Sequence, residues 1–221
     1  MSDDSFIREV NEEIRQDQAR ALWERFGPVL VVLAILVVLG TAAFVAYEYW
    51  TERQSGRSGD EFLQALTLAN SGKDDEALVA LKALEADSYG AYPILAHMRA
   101  ATVLVDKGDF DGAVKEFDAV AADTAIPAVL RDMARLRAAY VLVDHGSYDD
   151  VAKRAEGLTA DTNPLRSSAR EVLGLAAWKA GKADDALKLF DQISSDDAAP
   201  RNARERATLM SELIRGSGAA S

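Results

Sequence analysis

The sequence predicts an all-α protein: a single N-terminal transmembrane helix followed by an α-solenoid of about four helix pairs plus a capping helix. Three observations predict it. Pro28 to Tyr47, PVLVVLAILVVLGTAAFVAY, is a run of 20 residues without a charge. At about 1.5 Å per residue such a helix spans roughly 30 Å, the thickness of a hydrocarbon core. Beyond it, Gly72, Gly108, Gly146 and Gly181 recur 36, 38 and 35 residues apart, a period that marks stacked helical units. The chain also holds 40 alanines and only five prolines in 221 residues, a composition that suits close-packed helices rather than sheet.

Composition also excludes several functions. With 25 Lys and Arg against 36 Asp and Glu, the formal charge is −11. That argues against a nucleic-acid-binding protein and against adhesion to anionic lipid through a basic patch. The absence of cysteine removes a disulfide framework, a thiolate zinc site and a cysteine nucleophile. The two histidines, His97 and His145, are too few for a three-His centre. Neither has a Ser–Gly elbow or a paired carboxylate at metal-ligand spacing, so both are expected to be structural or surface groups. The sequence carries no GxxxxGK[ST] loop and no GxGxxG after a strand. The expectation is therefore no enzyme, no catalytic residue, no cofactor and no metal.

Residues 1–25 read as a cytoplasmic amphipathic segment. Phe6, Val10 and Ile14 recur at i, i+4 and i+8, which predicts a short helix from about Asp4 to Glu24. It serves either as a lead-in resting near the bilayer or as a small docking element. Residues 26–50 read as a transmembrane signal anchor. Pro28 is expected in its first turn, with Trp23 and Phe26 at one end and Tyr47, Tyr49 and Trp50 at the other as interfacial aromatic belts. A soluble core helix and a cleaved signal peptide are the alternatives. The apolar run exceeds the usual signal-peptide core of about 7–15 residues, and seven acids against four arginines precede it, so an uncleaved anchor fits better. Ala42 and Ala46 form a small-xxx-small pair, a weak cue for close helix approach. Arg8, Arg15, Arg20 and Arg25 precede the span and only Arg53 and Arg57 follow closely. That bias predicts a cytoplasmic N-terminus and a C-terminal domain outside the cytoplasm, which for a bacterial inner membrane is the periplasm.

A polar linker is expected at 51–59 (TERQSGRSG), a helical repeat domain at 60–215 and a disordered tail at 216–221. Within the repeats, Pro93, Pro127, Pro164 and Pro200 stand 34, 37 and 36 residues apart, keeping the beat of the glycines. In the fourth unit Pro164 starts a helix, Gly181 ends it with left-handed geometry, and Asp184 or Asp185 caps the next through its carboxylate. Small residues are expected where paired helices cross: Ala65 with Ala77, Ala101 with Ala113, and Gly174 with Ala186. Ala139 facing Val151 departs from this and should open the third pair slightly. The aspartates that recur at each turn lack the alternating ligands and distal Glu of a calcium loop, so they read as caps. A last helix at about Pro200–Ile214 carries Arg201, Arg204, Glu205 and Arg206 on a polar face, as an open-ended array requires.

Leu173-Gly174, Gly181, Ala186, Phe190 and Pro200, with Gly108, Ala113, Phe117 and Pro127, resemble the tetratricopeptide repeat pattern. That resemblance implies a concave surface lined by the first helix of each pair. At the corresponding offsets it would include Phe62, Leu66, Met98, Met133, Leu136, Tyr140, Leu175 and Trp178. They form an apolar partner groove, or pack against neighbouring helices. Lysines and asparagines are scarce among them, which disfavours a clamp for a C-terminal carboxylate. The order of parts, opening FIREVNEEIRQDQARALWERFG before the span and YEYW at its end, resembles the YfgM-type family of ancillary Sec translocon subunits along essentially the whole chain. The resemblance implies a place beside SecYEG, the periplasmic chaperone PpiD as partner, and help in passing secreted client chains to periplasmic folding factors. It also implies a link to envelope stress control. The alternatives are a scaffold for another envelope assembly machine, or a regulator acting through its cytoplasmic segment.

Overall fold

A computed structural model describes residues 3–218 and, of the side chains, residue 20 and those from 23 onward. The stripe of Phe6, Val10 and Ile14 lies outside the described side chains, and residues 219–221 of the expected tail lie outside the described residues. Nine α-helices and one 3₁₀ turn occur among the described residues, with no strand. The chain divides into two compact units, one up to Gln54 and one from Ser55 onward.

Helix α1 (Asp3–Asn70) takes in the charge-free run as part of a 68-residue element. In the first unit its large apolar side chains from Val29 to Val45 are 49–66% exposed, and the best 18-residue window has a mean hydropathy of 3.0 with none of it buried. This is a helix long and apolar enough to cross a membrane. Thr41, the hydroxyl within the run, donates to the Val37 carbonyl at 2.8 Å, which removes the cost of an unpaired group in lipid. Pro28 does not begin a helix as expected; it lies inside α1. Its ring deletes the hydrogen bond to the carbonyl four residues back, that of Glu24. Helix nonetheless continues through Pro28. Each end pairs an arginine with an aromatic ring: Arg25 lies 5.7 Å from the Phe26 centroid and Arg53 lies 4.5 Å from that of Tyr49. Trp23, Phe26, Tyr47, Tyr49 and Trp50 are all about half exposed or more.

Residues 51–59, expected as a linker, are helical, and those from Ser55 onward belong to the second unit. The physical reason lies in two small residues. Ser58 is buried and accepts from the Tyr89 amide at 3.0 Å. At Gly59 a Cβ would stand 2.8 Å from the Tyr92 hydroxyl, so the missing side chain admits that ring.

The repeats follow as α2 (Asp74–Asp87), α3 (Tyr92–Asp106), α4 (Phe110–Ala122), α5 (Ala128–His145), α6 (Tyr148–Ala155), α7 (Arg166–Lys179), α8 (Ala183–Ser194) and α9 (Arg201–Gly216), with the 3₁₀ turn Glu156–Leu158 after α6. The end of α1 with α2, then α3 with α4, α5 with α6 and α7 with α8 make four pairs, and α9 packs on α8 and α7. Every residue expected at a helix crossing is buried: Ala65, Ala77, Ala101, Ala113, Ala139, Val151 and Ala186 are fully so. Gly174 is buried too, and a Cβ there would lie 2.9 Å from Phe190 Cζ. One turn after each second-helix crossing residue come Leu81, Phe117, Ala155 and Phe190, all buried. The third pair thus sets a larger Val151 beside a smaller Ala155.

Gly72, Gly108 and Gly181 have φ of 73°, 80° and 76°, the left-handed geometry expected of these turns. Gly146 does not: its φ is −128°. Its lack of a side chain serves close approach instead, since a Cβ would fall 2.7 Å from Leu142 Cδ2. The aspartates also divide. Asp109 caps α4 by accepting from the Gly112 amide at 2.9 Å. Asp150 closes a capping box with Ser147 at the start of α6. Asp74, Asp75, Asp184 and Asp185 sit in first turns without a side-chain cap bond, where they favour the positive end of the helix dipole.

The apolar interior is a chain of small clusters rather than one core. Ala65, Leu81, Leu84, Ala96, Ala100 and Val103 form the first. Val120, Ala121, Ile126 and Ala134 form a second between α4 and α5. The largest gathers Phe117, Leu142, Val151, Val172 and Leu173, and the last gathers Phe190, Ile193, Ala203 and Ile214. Neighbouring repeats are also joined by polar contacts: Lys107 pairs with Asp75, and Lys179 Nζ donates to the Val143 and Asp144 carbonyls at 2.9 and 2.8 Å.

Candidate functional site

A repeat array acts through the face its stacked first helices present. Here α5 touches α7, and α7 touches α9. On α5, Ala134, Leu136, Ala138, Ala139 and Leu142 are buried. Val129, Met133 and Tyr140, spaced four and seven residues apart, share one side of the helix and are 58%, 40% and 41% exposed, with the buried Leu136 at the edge of their stripe. The entry to this helix is set by Pro127 at its N-cap, whose fixed φ suits a helix start.

Tyr140 is the hinge between this apolar stripe and a polar border. Burial, then the charge of Glu171 on α7, push its pKa upward. Glu171 is held from α9 by Arg206, whose Nε and Nη2 donate to its two carboxylate oxygens at 2.7 and 2.8 Å. That hydrogen bonding raises the Arg206 pKa further. The surface therefore offers three large apolar side chains from α5 and a neutralised charge pair from α7 and α9. It suits contact with apolar side chains of another polypeptide.

Of the eight residues expected to line a groove, Met133 and Tyr140 lie on this surface. Leu136, between them in sequence, is buried in the largest cluster. Met98 is half-buried and packs against two clusters. Leu175 and Trp178 are half-buried against the last cluster. Phe62 packs on the first and against Tyr92, with centroids 5.9 Å apart, and Leu66 is half-buried on α1. The eight are thus divided among several clusters along the array. Val129 was missed; the signal for it is the i, i+4 step to Met133.

His145 stacks on Phe110 with centroids 3.4 Å apart, a packing role. His97 has a different setting. Its Nδ1 lies 2.6 Å from Glu116 Oε2 on α4 and 3.5 Å from Glu85 Oε1 on α2. Sequence spacing hides this cluster, because its members are 12 and 19 residues apart on three helices.

The chain matches the family described as "Tetratricopeptide repeat-like domain" over residues 20–209. The "Ancillary SecYEG translocon subunit" of Escherichia coli (strain K12) is 30% identical to it over 116 residues, which cover 51% of this chain and 56% of that protein. The chain thus spans little more than half the length of this curated relative. No solved structure matches it.

Proposed function

Because this chain belongs to the tetratricopeptide repeat-like domain family, we propose that it is a membrane-anchored, non-catalytic interaction protein that acts beside a Sec translocon. The observation that carries this reading is the 30% identity to an ancillary SecYEG translocon subunit. The helix long and apolar enough to cross a membrane supports it. The arginine bias of the sequence orients the N-terminus to the cytoplasm and the repeats to the periplasm of a bacterial inner membrane. SecYEG is the membrane partner. The chaperone PpiD and secreted chains are the partners of the repeat domain, which holds them without covalent chemistry and passes clients to periplasmic folding factors.

The mechanism is positional. An anchor confines the repeats to the membrane surface and raises their effective concentration near other membrane proteins. The stripe of Val129, Met133 and Tyr140 then receives an apolar segment of the partner. Photo-crosslinkers placed in cells at Met133, at Tyr140 and at two positions between Val37 and Val45 test this. Capture of SecYEG from the span and of chaperones or nascent chains from α5 supports the proposal. Capture of another envelope machine, or of a cytoplasmic signalling protein alone, overturns it.

A further inference from the structure

The Glu85–His97–Glu116 cluster is independent of the α5 surface and asks for a separate explanation. Three helices each contribute one group, and the ligand-capable atoms all lie within 4.8 Å of one another. The carboxylate side chains are largely buried, 9% exposed for Glu85 and 19% for Glu116, while His97 is 28% exposed. Two acids share this small space with one imidazole. Both carboxylates face the same ring nitrogen, Nδ1, which has a single lone pair or a single N–H to offer.

We propose that Glu85, His97 and Glu116 form a binding site for a divalent transition-metal ion, with zinc as the best match to the donor set. Zinc accepts imidazole nitrogen at about 2.0–2.1 Å and carboxylate oxygen at about 2.0–2.2 Å in tetrahedral sites. Those bond lengths place neighbouring ligand atoms about 3.3 Å apart. The separation of His97 Nδ1 from Glu85 Oε1, 3.5 Å, already meets this. The 2.6 Å separation from Glu116 Oε2 is that of a hydrogen bond, and it opens by about 0.7 Å when the ion replaces the Nδ1 proton. The imidazole remains neutral, with its proton on Nε2. Two carboxylates balance the charge of the ion, and one coordination position is left for water. Magnesium and calcium fit poorly, since they take oxygen ligands in greater number. The partial exposure of His97 lets the ion in. Bound there, it ties α2, α3 and α4 together and so fastens the first repeat to the second.

The test uses the full-length protein in detergent micelles, stripped with a chelator and titrated with zinc chloride against a competing indicator. The expected result is one equivalent bound per chain and a zinc-dependent rise in Tm. His97→Gln and Glu85→Gln each weaken binding at least about tenfold and abolish the rise. His145→Gln binds as the wild type does. If His97→Gln loses its helical circular dichroism, Glu85→Gln, which keeps the side-chain shape, supplies the result. Absence of saturable binding by the wild type overturns the proposal. So does either ligand variant binding zinc as tightly as the wild type, or loss of binding only in His145→Gln.

Discussion

Arg154 on α6 grips Asp118 on α4 with two hydrogen bonds, Nε to Oδ1 at 3.0 Å and Nη2 to Oδ2 at 2.6 Å, across 36 residues of chain. That separation is one repeat length, so the pair fastens second helix to second helix. Arg206 and Glu171, 35 residues apart, make a like bidentate pair between α9 and α7, the first helix of the fourth pair. A bidentate arginine–carboxylate pair fixes angle as well as distance. Side-chain exposures of 16% and 41% leave the pair partly screened, so its contribution is that of a good surface pair, about 0.5–1 kcal/mol. A double-mutant cycle with Arg154→Ala and Asp118→Ala, measured by urea unfolding in detergent, is expected to give coupling of that size. Zero coupling would show that the pair forms without stabilising the array.

Gly174 and Phe190 form a tight crossing of α7 and α8. Gly174→Ala places a methyl group 2.9 Å from Phe190 Cζ. Overpacking of this kind costs about 1–3 kcal/mol, offset in part by the roughly 1 kcal/mol that alanine gains over glycine in a helix. Net destabilisation of about 1 kcal/mol is expected by thermal unfolding. Phe190→Leu in the same chain should recover part of it by vacating the ring position. If Gly174→Ala is more stable than the wild type, the crossing has slack that this geometry denies.

Met133 and Leu136 are three residues apart on one helix and separate binding from folding. Leu136→Ala removes a buried side chain and should cost about 2–5 kcal/mol. Met133→Ser and Tyr140→Ala are expected to lower capture of partners while moving the urea midpoint far less than Leu136→Ala does. Trp178→Ala should destabilise, because the ring packs on the last cluster. Equal loss of stability in Met133→Ser and Leu136→Ala would remove the case for a binding surface on α5.

Acid should loosen the turns. The Asp196 carboxyl is held below its ordinary value by hydrogen bonds from Arg166, and that of Asp150 by the Ser147 hydroxyl and amide. A carboxylate with a depressed folded pKa contributes stability above its unfolded value, about 3.9, and loses it as pH falls through the folded value. Asp196→Asn should therefore melt below the wild type at pH 7, and the two melting curves should converge as pH falls below about 4. A constant offset down to pH 2 would locate the effect in shape rather than charge.

The fold was legible because the repeat period multiplies every cue. Four glycines, four prolines and four crossing pairs each support the others, so the weak marks of the first and third units could be placed from the strong ones in the second and fourth. Local chemistry was less legible. Asp184 and Asp185 occupy a first turn rather than the cap, a difference of two or three residues that spacing does not resolve. Gly146 shares the sequence position of its partners but not their φ, since Ser147 and Asp150 start α6 with a capping box. Leu136 and Tyr140 share an offset pattern, and only the contact of α5 with α7 decides which is inside. Glu85, His97 and Glu116 have no pattern along the chain; three separate helices bring them together.

The division of the apolar interior into successive clusters has a mechanical consequence. Each cluster is closed by helices of adjoining repeats, so tension along the chain meets a row of latches rather than a single clasp. Stretched from its C-terminus, the domain should release α9, then α8 with α7, while earlier repeats hold. Single-molecule extension would then record a staircase of short yields instead of one long rip. A tether of this kind gives way by degrees and re-forms from whatever remains folded.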